Sequence, residues 1–218
     1  SEEAPPISPH SWNELRMISA KATFTRTNGS GHSKPLQIYI PALCIKRGQK
    51  IGIVGPSGAG KTTLLNMLSN LVEFEGEYRI DATDMRGKYL PPEWITIVTN
   101  NDPLFKLTLR DNLLLGKQVD PQHLDALLHG LEITTFNPDL DLRIGDPRFN
   151  LSAGQEQRIR LARGALQESE IYLLDEPFNG IDDDTKRSIS KFLRTLWAEK
   201  TVILITHNEH ELALVDDV

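Results

Sequence analysis

Residues 55–62 read Gly-Pro-Ser-Gly-Ala-Gly-Lys-Thr and match the pattern G-x-x-x-x-G-K-[ST]. The apolar run Ile51 to Val54 leads into this stretch, and Thr62-Thr63-Leu64-Leu65-Asn66-Met67-Leu68 leaves it with helical spacing. A strand, a glycine-rich turn and a helix in that order leave few options for the fold around them. The glycines let the backbone curl until several N–H groups point at one anion, and the helix that starts near Lys61 adds its positive end. Lys61 is long enough to reach the β- and γ-phosphates of a nucleotide, and the Thr62 hydroxyl is placed for Mg²⁺. Gly55, Pro56, Ser57, Gly58, Ala59, Gly60, Lys61, Thr62 and Thr63 are therefore expected to line the phosphates. A plain glycine-rich turn before a helix has no need of Lys-Thr at its end.

A chain of 218 residues can bury a substantial core as one large domain, or as one domain with a subdomain. With 39% hydrophobic and 25% charged residues, its balance is that of a globular protein. The net charge of −6 and the lack of a Lys/Arg cluster argue against nucleic acid as a partner. A lone Cys44 excludes an internal disulfide, fits a reducing compartment and reads as a small buried apolar residue. No apolar run has the length needed to span a bilayer. Any membrane role is thus expected to come through a partner or through polypeptide outside this sequence.

The leader Ser1 to Pro9 is acidic, proline-rich and aperiodic, and residues 1–16 read as a linker or terminal edge to a domain over 17–218. Met17 to Thr25 and Leu36 to Ile45 have strand-like apolar content, with a flexible loop of Asn, Gly and Ser around His32 between them. Glu77 to Ile80 and Trp94 to Val98 are further short strands. From Leu107 to Phe136 the leucines fall at helical intervals, which interrupts the α/β rhythm and predicts an inserted helical subdomain over about 102–168. A helix is expected from Ser152 to about Gln167, opened by a capping box at Ser152 and Gln155, and an amphipathic one from Asp182 to Trp197. The continuous apolar runs Ile171 to Leu174 and Thr201 to Ile205 suit strands covered on both faces of a parallel sheet.

Ligands of such sheets bind beyond the carboxyl ends of the strands. Asp175, Glu176 and His207 fall there. A carboxylate at Asp175 can hold Mg²⁺ opposite Thr62, and Glu176 can orient and polarise an attacking water. His207 can contact the γ-phosphate or that water. Without a P-loop beside them, the acidic pair would read as a solvated turn before Pro177, and the histidine as structural.

Leu151-Ser152-Ala153-Gly154-Gln155, followed by Gln157-Arg158, resembles the LSGGQ signature of ABC ATPases, and it lies between the P-loop and Asp175-Glu176-Pro177 in the family's order. The resemblance covers nearly the whole chain from about residue 17. It implies an α/β fold, a P-loop NTPase (RecA-like) core carrying an antiparallel β-subdomain and an α-helical subdomain. It also implies ATP and Mg²⁺ as ligands and a head-to-tail dimer with a second ABC ATPase domain. Lys61, Thr62, Asp175, Glu176 and His207 would then serve the ATP bound by this chain, while Ser152, Gly154 and Gln155 would serve the partner's.

Leu107-Thr108-Leu109-Arg110-Asp111-Asn112-Leu113 resembles the exporter stretch that often reads T-I-R-E-N-I, and Gly145-Asp146 resembles the start of the exporter X-loop. These imply an ATPase that drives transport from the cytoplasmic face of a membrane, joined to a transmembrane domain in the same or a separate chain. Four positions depart from the pattern. Asn100 stands where Gln usually contacts Mg²⁺ and water. Arg26 aligns with the adenine-stacking aromatic, where a guanidinium can also stack. Ala153 replaces a glycine of the signature, and Asn179-Gly180-Ile181-Asp182 stands where S-A-L-D is frequent. These departures keep a second expectation open, a catalytically weak, regulatory ATP-binding domain of a heterodimeric transporter.

Overall fold

The computed structural model describes residues 8–27, 33–136, 139–147 and 149–218. The loop around His32 and most of the leader lie outside the described residues, as does the side chain of Arg26. In chain order the elements are β1 (Glu14–Thr27), β2 (Ser33–Lys46), β3 (Lys50–Val54), α1 (Lys61–Leu68), β4 (Glu75–Ile80), β5 (Thr83–Asp84), β6 (Ile95–Thr99), α2 (Leu109–Leu114), α3 (Pro121–Gly130), α4 (Ala153–Ala165), β7 (Ile171–Asp175), α5 (Asp183–Leu196) and β8 (Thr201–Thr206). Short 3₁₀ turns follow at Ile133–Thr135 and Glu209–Leu214.

Two sheets form. One is antiparallel with strand order β2-β1-β4-β5, and the other is parallel with order β3-β8-β7-β6. The parallel sheet is covered on both faces, which explains its uninterrupted apolar strands. Tyr172, Leu174, Val202 and Leu204 point to one side, into a core shared with α2, α3, α4 and α5. Ile171, Leu173, Ile203 and Ile205 point to the other side, into a core shared with α1 and the antiparallel sheet. Alternation of side chains along a strand makes this split automatic. Trp197, at the end of α5, stacks on Tyr172 with ring centroids 4.3 Å apart. The chain's last turn adds to the sheet edge, where Gly52 N donates to Asp217 O at 2.7 Å.

Several boundaries differ from those expected. β1 begins at Glu14 rather than Met17, and Trp12 and Leu15 are buried, so core packing reaches into the segment read as linker. Only anchoring against the rest of the fold reveals this, because a Pro-rich leader hides one Trp and one Leu. The helical run from Leu107 breaks at Leu115, which adopts φ 47° ahead of Gly116. It restarts at Pro121 with Asp120 as cap. Cys44 is exposed, not buried. Its neighbour Ile45 takes the inward position on β2, and strand alternation turns Cys44 outward.

The amino ends of the parallel strands are tied by charge. Glu170, 2% exposed, accepts from Arg47 Nη2 at 3.0 Å and Lys200 Nζ at 2.5 Å, and contacts His10 Nδ1 at 3.1 Å. Burial alone pushes this carboxyl up, but the hydrogen bonds from Lys200, Arg47 and His10 outweigh it and hold the group below its ordinary value. The stability gained is therefore fully present above the ordinary carboxylate pKa and is lost as pH falls through the lower folded value. Glu170→Gln should cost about 2 kcal/mol at neutral pH in urea titrations. The difference from wild type should shrink below about pH 4. A pH-independent difference would show that the charge is not what matters.

Candidate nucleotide site

Register decides which residues meet. Val54 pairs with Thr206, and Asp175 lies between Ile205 on one side and Thr99 on the other. Gly55, His207, Glu176 and Asn100 each follow directly on one of these strand ends. All four therefore stand along a single carboxyl edge, where the sheet, through its helix and loops, presents donors and charges to a ligand.

The P-loop leaves β3 and enters α1 through two left-handed residues, Gly58 at φ 80° and Gly60 at φ 93°. A side chain at Gly60 would also run into Ile38 of β2, so this glycine is required by both conformation and space. A Cβ at Gly58 would meet nothing, and there only the backbone conformation requires glycine. Lys61 Nζ donates to Gly55 O at 2.7 Å and Pro56 O at 3.0 Å, which holds the ammonium over the loop. A cleft of about 340 Å³ opens beside it, lined by Ile38, Tyr39, Val54, Ala59, Gly60 and Lys61.

Thr62 Oγ1 donates to Asp175 Oδ2 at 2.6 Å, so the hydroxyl expected from the P-loop and the carboxylate expected from β7 do meet. Both are oxygen donors, which suits a hard cation such as Mg²⁺. Glu176 has φ 53°, a conformation that a carboxylate side chain seldom adopts. Its Oε2 lies 2.6 Å from His207 Nδ1. The two groups singled out for water activation, 31 positions apart in sequence, are thus in direct contact.

Asn100 sits in a loop closed by Asp102, which accepts from Thr99 N at 3.0 Å and Thr99 Oγ1 at 2.9 Å. Two arginines of α4 grip the same loop. Arg160 Nε donates to Asp102 O at 2.7 Å and Arg163 Nη1 to Pro103 O at 2.9 Å. Sequence reading did not find these arginines. On a helical wheel they look like surface charges, and only the Asp102-Pro103 pair hinted at a turn.

Ser152 and Gln155 form the expected capping box: Gln155 N donates to Ser152 Oγ at 3.2 Å and Ser152 N to Gln155 Oε1 at 2.8 Å. Gly154 is buried, and a side chain there would strike Gly180 O. Gly180 has φ 75°, and a Cβ on it would lie 3.1 Å from the Ala153 Cβ. The departures at Ala153 and Gly180 thus lie against each other. Asp182 ends that loop by accepting from Thr185 N at 3.0 Å, and this hydrogen bond, with the Thr185 hydroxyl, keeps its carboxyl below the ordinary value.

A phosphate loop between strand and helix, an acidic strand end beside its threonine and a capped signature helix define a P-loop nucleotide-hydrolase domain. The ABC transporter family model matches residues 41–179. The chain is 34% identical over 205 residues to the glutathione/L-cysteine transport system ATP-binding/permease protein CydD of Escherichia coli, spanning 90% of this chain and 34% of that protein. It is 30% identical to an ATP-dependent lipid A-core flippase of Vibrio parahaemolyticus, covering 86% of this chain and 34% of that one. A bacterial Atm1-family ABC exporter solved with ATP bound superimposes with a TM-score of 0.82 at 25% identity, over 99% of this chain and 38% of that chain. The chain thus spans about a third of the relatives it matches. It belongs to the ABC transporter family, whose domains of this kind are ATPases, as an ATP-binding domain of the exporter type.

Gly180→Ala should destabilise the domain by about 1–2 kcal/mol, from the left-handed φ and the contact with Ala153. Adding Ala153→Gly should recover part of that loss, because the Cβ contact goes while the φ cost remains. Ala153→Gly alone closes the cycle, and losses of the two single variants that simply add in the double variant would show that the two positions are independent.

Proposed function

We propose that this domain hydrolyses its bound ATP with Glu176 as the base and His207 as its partner, and that it does so in an exporter-type transporter. The observation that carries the reading is the 2.6 Å contact between His207 Nδ1 and Glu176 Oε2 on the same strand edge as the P-loop. Phosphoryl transfer asks mainly for positioning and charge stabilisation. The P-loop N–H groups and Lys61 would bind the β- and γ-phosphates. Glu176 would accept a proton from water as it attacks the γ-phosphorus, and His207 would hold the carboxylate in place and contact the phosphate. Thr62 and Asp175 would hold Mg²⁺, with the Asn100 amide on the same edge; the ion would supply neutralisation of phosphate charge.

Ser152, Gly154 and Gln155 would meet the ATP of a second ABC ATPase domain, identical or different. The exposed start of α4 supports this: the capping box uses the N–H groups of Ser152 and Gln155, and the remaining first-turn N–H groups and the positive end of the helix suit an anion. Among the described residues no helix is long and apolar enough to cross a membrane. Transport would therefore need a transmembrane domain in another part of the same polypeptide or in another chain, with this domain at the cytoplasmic face. The regulatory reading rests on Asn100, one methylene shorter than the usual glutamine, together with Arg26 and Ala153.

Glu176→Gln separates the two. For an engine, turnover should fall by about 10²–10⁴-fold while ATP still binds, and wild-type rate per molecule should rise with protein concentration. A wild type that binds ATP as tightly as the variant and turns over no faster at any concentration would favour regulation.

A further inference from the structure

We propose that the ion pair between half-buried Lys186 and buried Glu211, acting through Thr206, is the positioning device that holds His207 against Glu176. This rests on the hydrolytic reading above. The need for such a device is visible in the geometry. His207 lies on a turn just past β8 with its side chain 63% exposed, yet it must meet a carboxylate on a different strand end at hydrogen-bond distance. An exposed imidazole has several rotamers, and packing alone does not select one.

The turn itself is held from behind. Thr206 is fully buried; its Oγ1 donates to Glu211 Oε2 at 2.6 Å and accepts from Asn208 N at 3.0 Å. That one hydroxyl spans the residues on both sides of His207. Glu211 is only 5% exposed, and its other oxygen receives Lys186 Nζ at 2.9 Å. Lys186 stands in the first turn of α5, where its N–H donates to Asp182 O at 2.9 Å. Asp182 closes the loop that begins at Glu176. Glu176 N in turn donates to Ile205 O at 2.9 Å, next to Thr206. The connections therefore form a closed ring: Glu176, its loop, α5, Lys186, Glu211, Thr206, His207 and back to Glu176.

A buried ion pair is a poor source of stability compared with apolar side chains of similar volume. Its value here is directional. Each carboxylate oxygen of Glu211 has a separate partner, one on the turn and one on the helix, so the two loops bearing the water-activating groups cannot drift independently. Asp183, 3.8 Å from Lys186 Nζ, is the further charge facing the pair. Among the described residues the side chains of Lys186, Glu211 and Thr206 make no hydrogen bond to the P-loop; they act through the turn that carries His207 and the loop that follows Glu176.

Thr206→Val tests this with the least disturbance, because it keeps the shape, leaves Lys186 and Glu211 paired, and removes only the hydroxyl. Measured on the intact protein, kcat for ATP should fall by about 10-fold or more, with KM and ATP affinity within about two-fold of wild type. Thr206→Ser should restore kcat. In the His207→Ala background, Thr206→Val should add little, since both changes remove the same function. Where Thr206→Val melts below the assay temperature, the double variant Lys186→Met/Glu211→Met removes both the charge pair and the acceptor of the Thr206 hydroxyl without leaving an unpaired charge, and should show the same kcat-only loss. A folded Thr206→Val or double variant with wild-type kcat overturns the proposal, as does full additivity with His207→Ala. Should Glu176→Gln and His207→Ala themselves leave kcat unchanged, the hydrolytic reading fails and this proposal falls with it.

Discussion

Four parallel strands in register, buried on both faces, are the constraint on which everything else in this domain depends. Burial forces a single register, since a one-residue slip would turn each strand's apolar set to the wrong side. Tyr172 and Leu174 would exchange faces with Ile171 and Leu173, and both cores would lose their contacts. The same register carries Gly55, His207, Glu176 and Asn100 to one edge. The site is thus a by-product of core packing: side chains that never touch a nucleotide decide which polar groups stand together.

Charge is buried at both ends of this sheet, to different effect. At the amino ends, Glu170 gathers Arg47, Lys200 and His10 from three parts of the chain and joins them. These cations are partly open to water, and what they secure is cohesion between the leader, the β2–β3 turn and β8. At the carboxyl ends, Glu211 binds one lysine and one hydroxyl, and what it secures is the orientation of a turn. The two carboxylates have similar burial, and their surroundings separate the roles.

Much of the site was legible in the sequence because its parts are local. The P-loop needs glycines at fixed spacing, and the capping box at Ser152 and Gln155 is a four-residue pattern. Asp175, Glu176 and His207 were found because apolar runs end just before them. Other features were hidden because they join distant positions. Arg160 and Arg163 looked like surface charges on α4 until the loop they grip, some 60 residues earlier, was in view. Ala153 and Gly180 looked like two separate departures until the structure placed them against each other. Cys44 was misplaced because composition ranks cysteine as buried, whereas strand alternation with Ile45 inward turns it out.

The amino-acid sequence by itself determined the α/β class, the phosphate loop, the order of the motifs and the residue types available for chemistry. These follow from backbone conformational limits and from hydrophobic periodicity, both of which act over a few residues. Tertiary structure alone decided that Thr62 meets Asp175, that His207 meets Glu176, and that Lys186 and Glu211 close the ring behind them. Those contacts join groups from about 25 to more than 110 positions apart. Distances of a few tenths of an ångström between such groups are set by how two cores pack against one sheet, and no local pattern encodes that.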